Sequence, residues 1–178
     1  MTTFICLLRG VNVGGNNRIK MAEFRAFLGS LGFGHVETYV QSGSAVFTSE
    51  LGDCASVRRQ IADAFHPKFG FVPKIMVLTA EDLNQAIFNN PFPEAEAEPA
   101  KLHFGFMQET PDSGAIELLK SKPNAGEQWR VIGAVFYLYS PLGMGKSVLA
   151  PFIERTLKVP ITMRNWNTVV ALGGMVGK

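Results

Sequence analysis

Apolar and polar positions alternate along this chain in short blocks whose period changes from one block to the next. Residues 4–8 form an unbroken apolar run, Phe-Ile-Cys-Leu-Leu, of the length of a buried strand. After a polar stretch at 10–17, Met21, Phe24, Phe27, Leu28 and Leu31 recur at helical spacing, and Gly32 ends the pattern. β-Prone runs follow at 36–40 and 45–48. They flank Gln41, Ser42, Gly43 and Ser44, a composition suited to a hairpin turn. Within 56–69, Val57, Ile61, Ala64, Phe65 and Phe69 share one helical face, and 72–78 reads as a strand. Residues 1–79 thus spell β-α-β-β-α-β, the ferredoxin-like order.

The second half repeats that order. A bridging helix starts at 79–82 and stops near Asn89, Asn90 and Pro91, and an acidic loop with Glu94, Glu96 and Glu98 follows. Leu102, Phe104 and Phe106 alternate in a strand over 102–107, and a short helix covers 112–120. A hairpin turns at Gly133 between 128–132 and 134–139. A helix at 147–157 carries Pro151 near its first turn, 161–164 forms the closing strand, and 165–176 forms a terminal helix. The expected fold is α+β, with two ferredoxin-like lobes in tandem and a C-terminal helix. Residues 1–79 make the first lobe, 80–99 the bridging helix and acidic loop, and 100–178 the second lobe with the terminal helix.

Composition narrows the class. Of 178 residues, 47% are hydrophobic and 18% charged, which excludes general disorder. The balance of 17 basic to 15 acidic residues, a net +2, is too mild to mark a nucleic-acid binder by itself. Cys6 and Cys54 form no Cys-x-x-Cys pair and read as reduced thiols. The start has no basic segment of the signal-peptide kind, and no apolar stretch approaches the ~20 residues of a membrane span, so a cytoplasmic location is expected. The small net charge hides an uneven distribution. Residues 9–20 hold Arg9, Arg18 and Lys20 with no acid, whereas 78–100 hold five acids with no Lys or Arg.

That basic loop carries the clearest candidate chemistry. Its glycines let backbone N–H groups turn toward a common point ahead of a helix start, an arrangement that suits a phosphate or another anion. Turn-forming Gly and Asn in a plain connector are the competing explanation. The glycines do not give the dinucleotide pattern G-x-G-x-x-G. In the ferredoxin-like order the hairpin with Gln41 and Ser42 lies at the same sheet end. The candidate ligand site is therefore Arg9, Asn12, Gly14, Gly15, Asn17 and Lys20 around phosphate oxygens, bordered by Gln41 and Ser42. Arg164 and Asn165 join it if the terminal helix folds back.

Other motifs are weaker. Gly143-Met144-Gly145-Lys146-Ser147 lacks the first glycine of a P-loop, because that position is Ser140, and reads better as a helix start. Asn165 or Asn167 can cap the terminal helix while Trp166 packs beside it. His35, His66 and His103 are scattered, so no metal site is expected. No catalytic acid, base, nucleophile or cofactor can be assigned. The leading partner is a phosphate-bearing small molecule or nucleotide. The alternatives are single-stranded nucleic acid on the sheet face, with Phe47 and Tyr39 as stacking groups, an enzyme of unassigned reaction, and a partner-binding protein that exposes some of its 14 phenylalanines.

Several blocks carry a family resemblance. Leu8-Arg9-Gly10-Val11-Asn12-Val13-Gly14-Gly15, Ile19-Lys20-Met21, Leu31-Gly32-Phe33, Tyr39-Val40-Gln41-Ser42-Gly43, Asn90-Pro91-Phe92 and Arg164-Asn165-Trp166-Asn167-Thr168-Val169 resemble the domain-of-unknown-function 1697 family over nearly the whole chain. The chain departs from the family pattern at Ser44, where Asn is common. The resemblance implies a cytoplasmic, mainly bacterial α+β protein related to the ferredoxin-like fold, and it implies no activity.

Overall fold

A computed structural model describes residues 1–177. The chain divides into two compact units: Met1–Gln85 together with the residues from Ala171 onward, and Ala86–Val170.

The first unit contains β1 (Thr2–Arg9), α1 (Met21–Ser30), β2 (Gly34–Tyr39), β3 (Ser44–Ser49), α2 (Cys54–Phe69) and β4 (Lys74–Thr79). The strands form one antiparallel sheet in the order β2-β3-β1-β4, the ferredoxin-like arrangement. In the register, Phe4 faces Phe47 and Cys6 faces Ala45, so these side chains share one face of the sheet. They build the core with Phe24, Leu28, Ile61 and Phe65 of the two helices. Phe27 meets Phe65 edge-on at 5.5 Å, and Phe33 stacks on Phe47 at 4.5 Å. Ile5 and Leu7 point to the opposite face and are equally buried, which is why β1 shows no polar alternation.

α3 (Ala80–Phe88) starts with a reciprocal cap. The Thr79 N–H donates to Asp82 Oδ2 at 2.9 Å, and the Asp82 N–H donates to Thr79 Oγ1 at 3.0 Å. The second unit contains β5 (Leu102–Met107), α4 (Ser113–Lys120), β6 (Gln128–Ile132), β7 (Val135–Tyr139), α5 (Ala150–Leu157) and β8 (Ile161–Asn165), in the sheet order β6-β7-β5-β8. The closing strand thus forms, paired with β5. α6 (Trp166–Val176) follows, capped by Asn165, whose Oδ1 accepts from the Thr168 N–H at 3.0 Å.

Four expectations change. Residues Pro93–Ala97, read as loop, form a short 3-10 turn, because Pro93 fixes the entry and Glu96 Oε1 accepts from Asn90 Nδ2 at 2.8 Å. α5 starts at Ala150 and not at 147. Pro151 occupies the first turn, and Ser147 lies just outside as a cap that accepts from the Ala150 N–H at 2.9 Å. The sheet-face nucleic-acid reading loses its platform, since Phe47 is fully buried in the core and Tyr39 is half-buried. The exposed aromatic patch is absent too: of the phenylalanines only Phe88 is exposed.

Candidate functional site

β1 ends at Arg9, and the next eleven residues, 10–20, lead to α1. Gly10, Asn12, Gly14, Gly15 and Asn17 all have positive φ, between 51° and 79°. Gly14 and Gly15 are the central pair of a two-residue turn closed by the Asn16 N–H donating to the Val13 carbonyl at 3.1 Å. Two consecutive left-handed residues are what such a primed turn requires. One step outward, the Asn12 N–H donates to the Asn17 carbonyl at 3.1 Å. The loop is a folded miniature hairpin.

The side chains of Asn12 and Asn17 are tied into the backbone. Asn12 Oδ1 accepts from the Ile19 N–H at 2.8 Å, while Asn12 Nδ2 donates to the carbonyls of Ile19 at 3.0 Å and Gln41 at 3.2 Å. Asn17 Nδ2 donates to the Gly10 carbonyl at 3.1 Å. Val11 and Ile19 are buried as apolar anchors. Gly43, with φ +73°, lets the hairpin turn approach closely: a Cβ there would stand 2.6 Å from Val11 Cγ2. The Leu8 N–H donates to the Gly43 carbonyl at 2.8 Å. The Gly/Asn loop and the hairpin at 40–43 therefore form one connected surface, as the topology argument expects.

The other site residues follow from this frame. Arg9 is half-buried beside its cross-strand neighbour Lys74 and is engaged within the fold. Ser42 Oγ donates to the Tyr39 carbonyl and lies 2.9 Å from Ser44 Oγ. Gln41 is exposed, and its carboxamide makes no hydrogen bond among the described residues. Arg18 and Lys20 are exposed and make no ion pair among the described residues. The Arg18 guanidinium stands over Gly15, 3.5 Å from where a Cβ would be. Lys20 occupies the N-cap of α1, which has no side-chain cap. Arg164 and Asn165 lie in β8 of the second unit, where Arg164 Nη1 donates to the Met163 carbonyl and Asn165 caps α6.

The second lobe is an internal control. It makes the same β-α-β-β-α-β unit with only residues 108–112 between β5 and α4, and those five include Glu109 and Asp112 but no glycine or cation. Its β6–β7 hairpin turns on Gly133 and Ala134 alone. The β-α-β-β-α-β order thus does not itself demand a long basic loop or the longer hairpin turn. By contrast, an open groove between the first helix and the edge strand recurs in both lobes. It measures about 700 Å³ beside Arg25 and His35 and about 670 Å³ beside Ile116 and Trp129, and it belongs to the architecture.

Sequence reasoning missed one polar cluster. Glu127 is buried and accepts from the Ala125 N–H at 3.0 Å, the Leu149 N–H at 3.3 Å and the Ser147 hydroxyl. Ser147 and Leu149 lie 20 and 22 residues downstream, so no local spacing reveals the cluster. The cluster explains Ser147 within the Gly143–Ser147 stretch as a structural anchor at the start of α5. His103 is also buried, with Nδ1 unpartnered, and burial lowers its pKa. No group of three or more potential metal ligands occurs among the described residues.

Residues 1–137 match the DUF1697 family, described as a protein of unknown function. No curated protein matches the chain. Among solved structures, the conserved bacterial protein SP0830 from Streptococcus pneumoniae is similar, with 30% sequence identity, a TM-score of 0.74 and coverage of 98% of each chain.

Proposed function

The chain belongs to the DUF1697 family, whose function is unknown, and from that premise we propose that it binds a phosphate-bearing small molecule at loop 9–20 of the first lobe. The observation that carries the proposal is the pair Arg18 and Lys20, exposed and without ion-pair partners among the described residues, on a loop whose Asn12 and Asn17 are consumed in holding it in place. A loop already folded loses little entropy on binding, so its cations meet an anion at low cost. α1 follows directly on Lys20, its N-cap, without a side-chain cap, which leaves first-turn N–H groups and the positive end of the helix dipole next to the loop in sequence. The second lobe folds without any of these features, which argues that they serve something other than folding. Arg9 supports the site from the end of β1, and Gln41 and Ser42 border it. A cytoplasmic setting accords with two cysteines that form no disulfide, and no helix among the described residues is long and apolar enough to cross a membrane.

Titration with inorganic phosphate and pyrophosphate at low salt tests the reading. Saturable binding that weakens as salt rises is expected, and Arg18→Ala and Lys20→Ala should each weaken it about tenfold, as loss of a charge-assisted contact does. Wild-type affinity in the Arg18→Ala/Lys20→Ala double variant would overturn it, as would no saturable binding of either anion.

A further inference from the structure

We infer that the ligand carries a flat apolar group behind its phosphate, as a nucleoside 5′-phosphate does, and that Val13 and Val40 form the platform for the base. The inference rests on the anion-binding reading and specifies its substrate class. Both valines are well exposed, Val13 at 65% and Val40 at 60%. Each is the chain neighbour of one partner in the Asn12–Gln41 hydrogen bond, the contact that joins loop and turn. Single exposed valines are ordinary, but these two are set apart by what surrounds them.

Val40 has φ +41°, a left-handed conformation that a β-branched residue strongly disfavours. An exposed side chain recovers none of that disadvantage through core packing, and asparagine would occupy the position with less strain. Beside it, Gln41 offers a carboxamide with unused donors and acceptor, the chemistry that reads the polar edge of a base. Arg18 and Lys20 supply the charge complement for the phosphate on the same connected surface. The second lobe, which turns on Gly133 and Ala134, has no counterpart to the strained valine. A plain anion would need the cations but neither the valines nor Gln41.

Isothermal titration of the full chain with inorganic phosphate, ribose 5-phosphate and adenosine 5′-monophosphate separates the two levels. The nucleotide should bind about tenfold more tightly than ribose 5-phosphate, the factor expected from covering a small apolar patch. Val40→Asn should raise the thermal midpoint by relieving the backbone, erase that tenfold advantage and leave phosphate binding unchanged. Val13→Ser should erase the advantage as well, without the gain in midpoint. Equal affinities for the nucleotide and ribose 5-phosphate would overturn the inference and leave the anion reading standing. An advantage that survives both substitutions would overturn the valine platform. Absence of binding by all three compounds would remove the anion reading and the inference together.

Discussion

Replacing Asn12 with alanine should destabilise the first unit far more than the same change at Asn17. Asn12 Oδ1 is the acceptor for the Ile19 N–H, and Ile19 is buried. Losing that partner leaves a buried donor unpaired, which costs about 2 kcal/mol. The two bonds donated by Nδ2 add about 1 kcal/mol together, because the one to Gln41 is exposed. Alanine at φ +54° adds about 1 kcal/mol more, since asparagine tolerates the left-handed region and alanine does not. The expected loss for Asn12→Ala is therefore about 4 kcal/mol. Asn17 donates a single exposed bond at φ +51°, so Asn17→Ala should lose about 1.5 kcal/mol. The two units need not unfold together, so a bulk urea curve is best read alongside amide hydrogen exchange. In Asn12→Ala the Ile19 amide should lose most of its protection, while amides of β5 keep theirs. If the two alanine variants were equally stable, or if Ile19 exchange were unchanged, the account of the loop as a structure clamped by Asn12 would be refuted.

Gly43→Ala should cost about 3 kcal/mol, because its Cβ would stand 2.6 Å from Val11 Cγ2 and 3.0 Å from Leu8 Cβ in a left-handed backbone; adding Val11→Ala should recover part of the loss in a denaturation double-mutant cycle. Glu127→Ala should destabilise the second unit by about 3 kcal/mol by orphaning the Leu149 N–H and the Ser147 hydroxyl, with Glu127→Gln closer to wild type, as measured by thermal unfolding. Burial holds the His103 pKa below its ordinary 6.5. The unfolded chain therefore binds the proton more readily, so stability should fall as pH drops below about 6.5 and stop falling once the native imidazole also protonates. His103→Leu should flatten that slope below pH 6.5 in urea midpoints, and an unchanged slope would contradict it.

The repeated β-α-β-β-α-β order was legible because each element carries its own period, from Met21, Phe24 and Phe27 in α1 to the short apolar run of β1. The same reading could not show which strand faces are covered. β3 and β5 are buried on both faces, so Phe47, which looked available as a stacking group, lies in the core, and His103, which looked like a scattered histidine, is buried. At the candidate site, Gly14 and Gly15 announced a turn through residue type alone. The use of Asn12 as a clamp was invisible, because its Gln41 partner lies 29 residues away and the geometry depends on φ. The strained Val40 left no mark either, since valine in a β-prone run predicts a strand. Glu127 was hidden for the same long-range reason.

The division of the chain has a consequence for its synthesis. The first unit is discontinuous: Met1–Gln85 is joined by residues from Ala171 onward, among them the fully buried Leu172. The second unit, by contrast, is one uninterrupted segment. On a ribosome the N-terminal unit emerges first, yet it lacks one of its buried side chains until α6 has been translated. The later-made unit can finish folding before the earlier one, which reverses the usual N-to-C order of domain maturation. The core that Phe4, Phe24, Phe47 and Phe65 build is available long before α6 is made, so the seating of Leu172 is a late addition to a unit already formed around it.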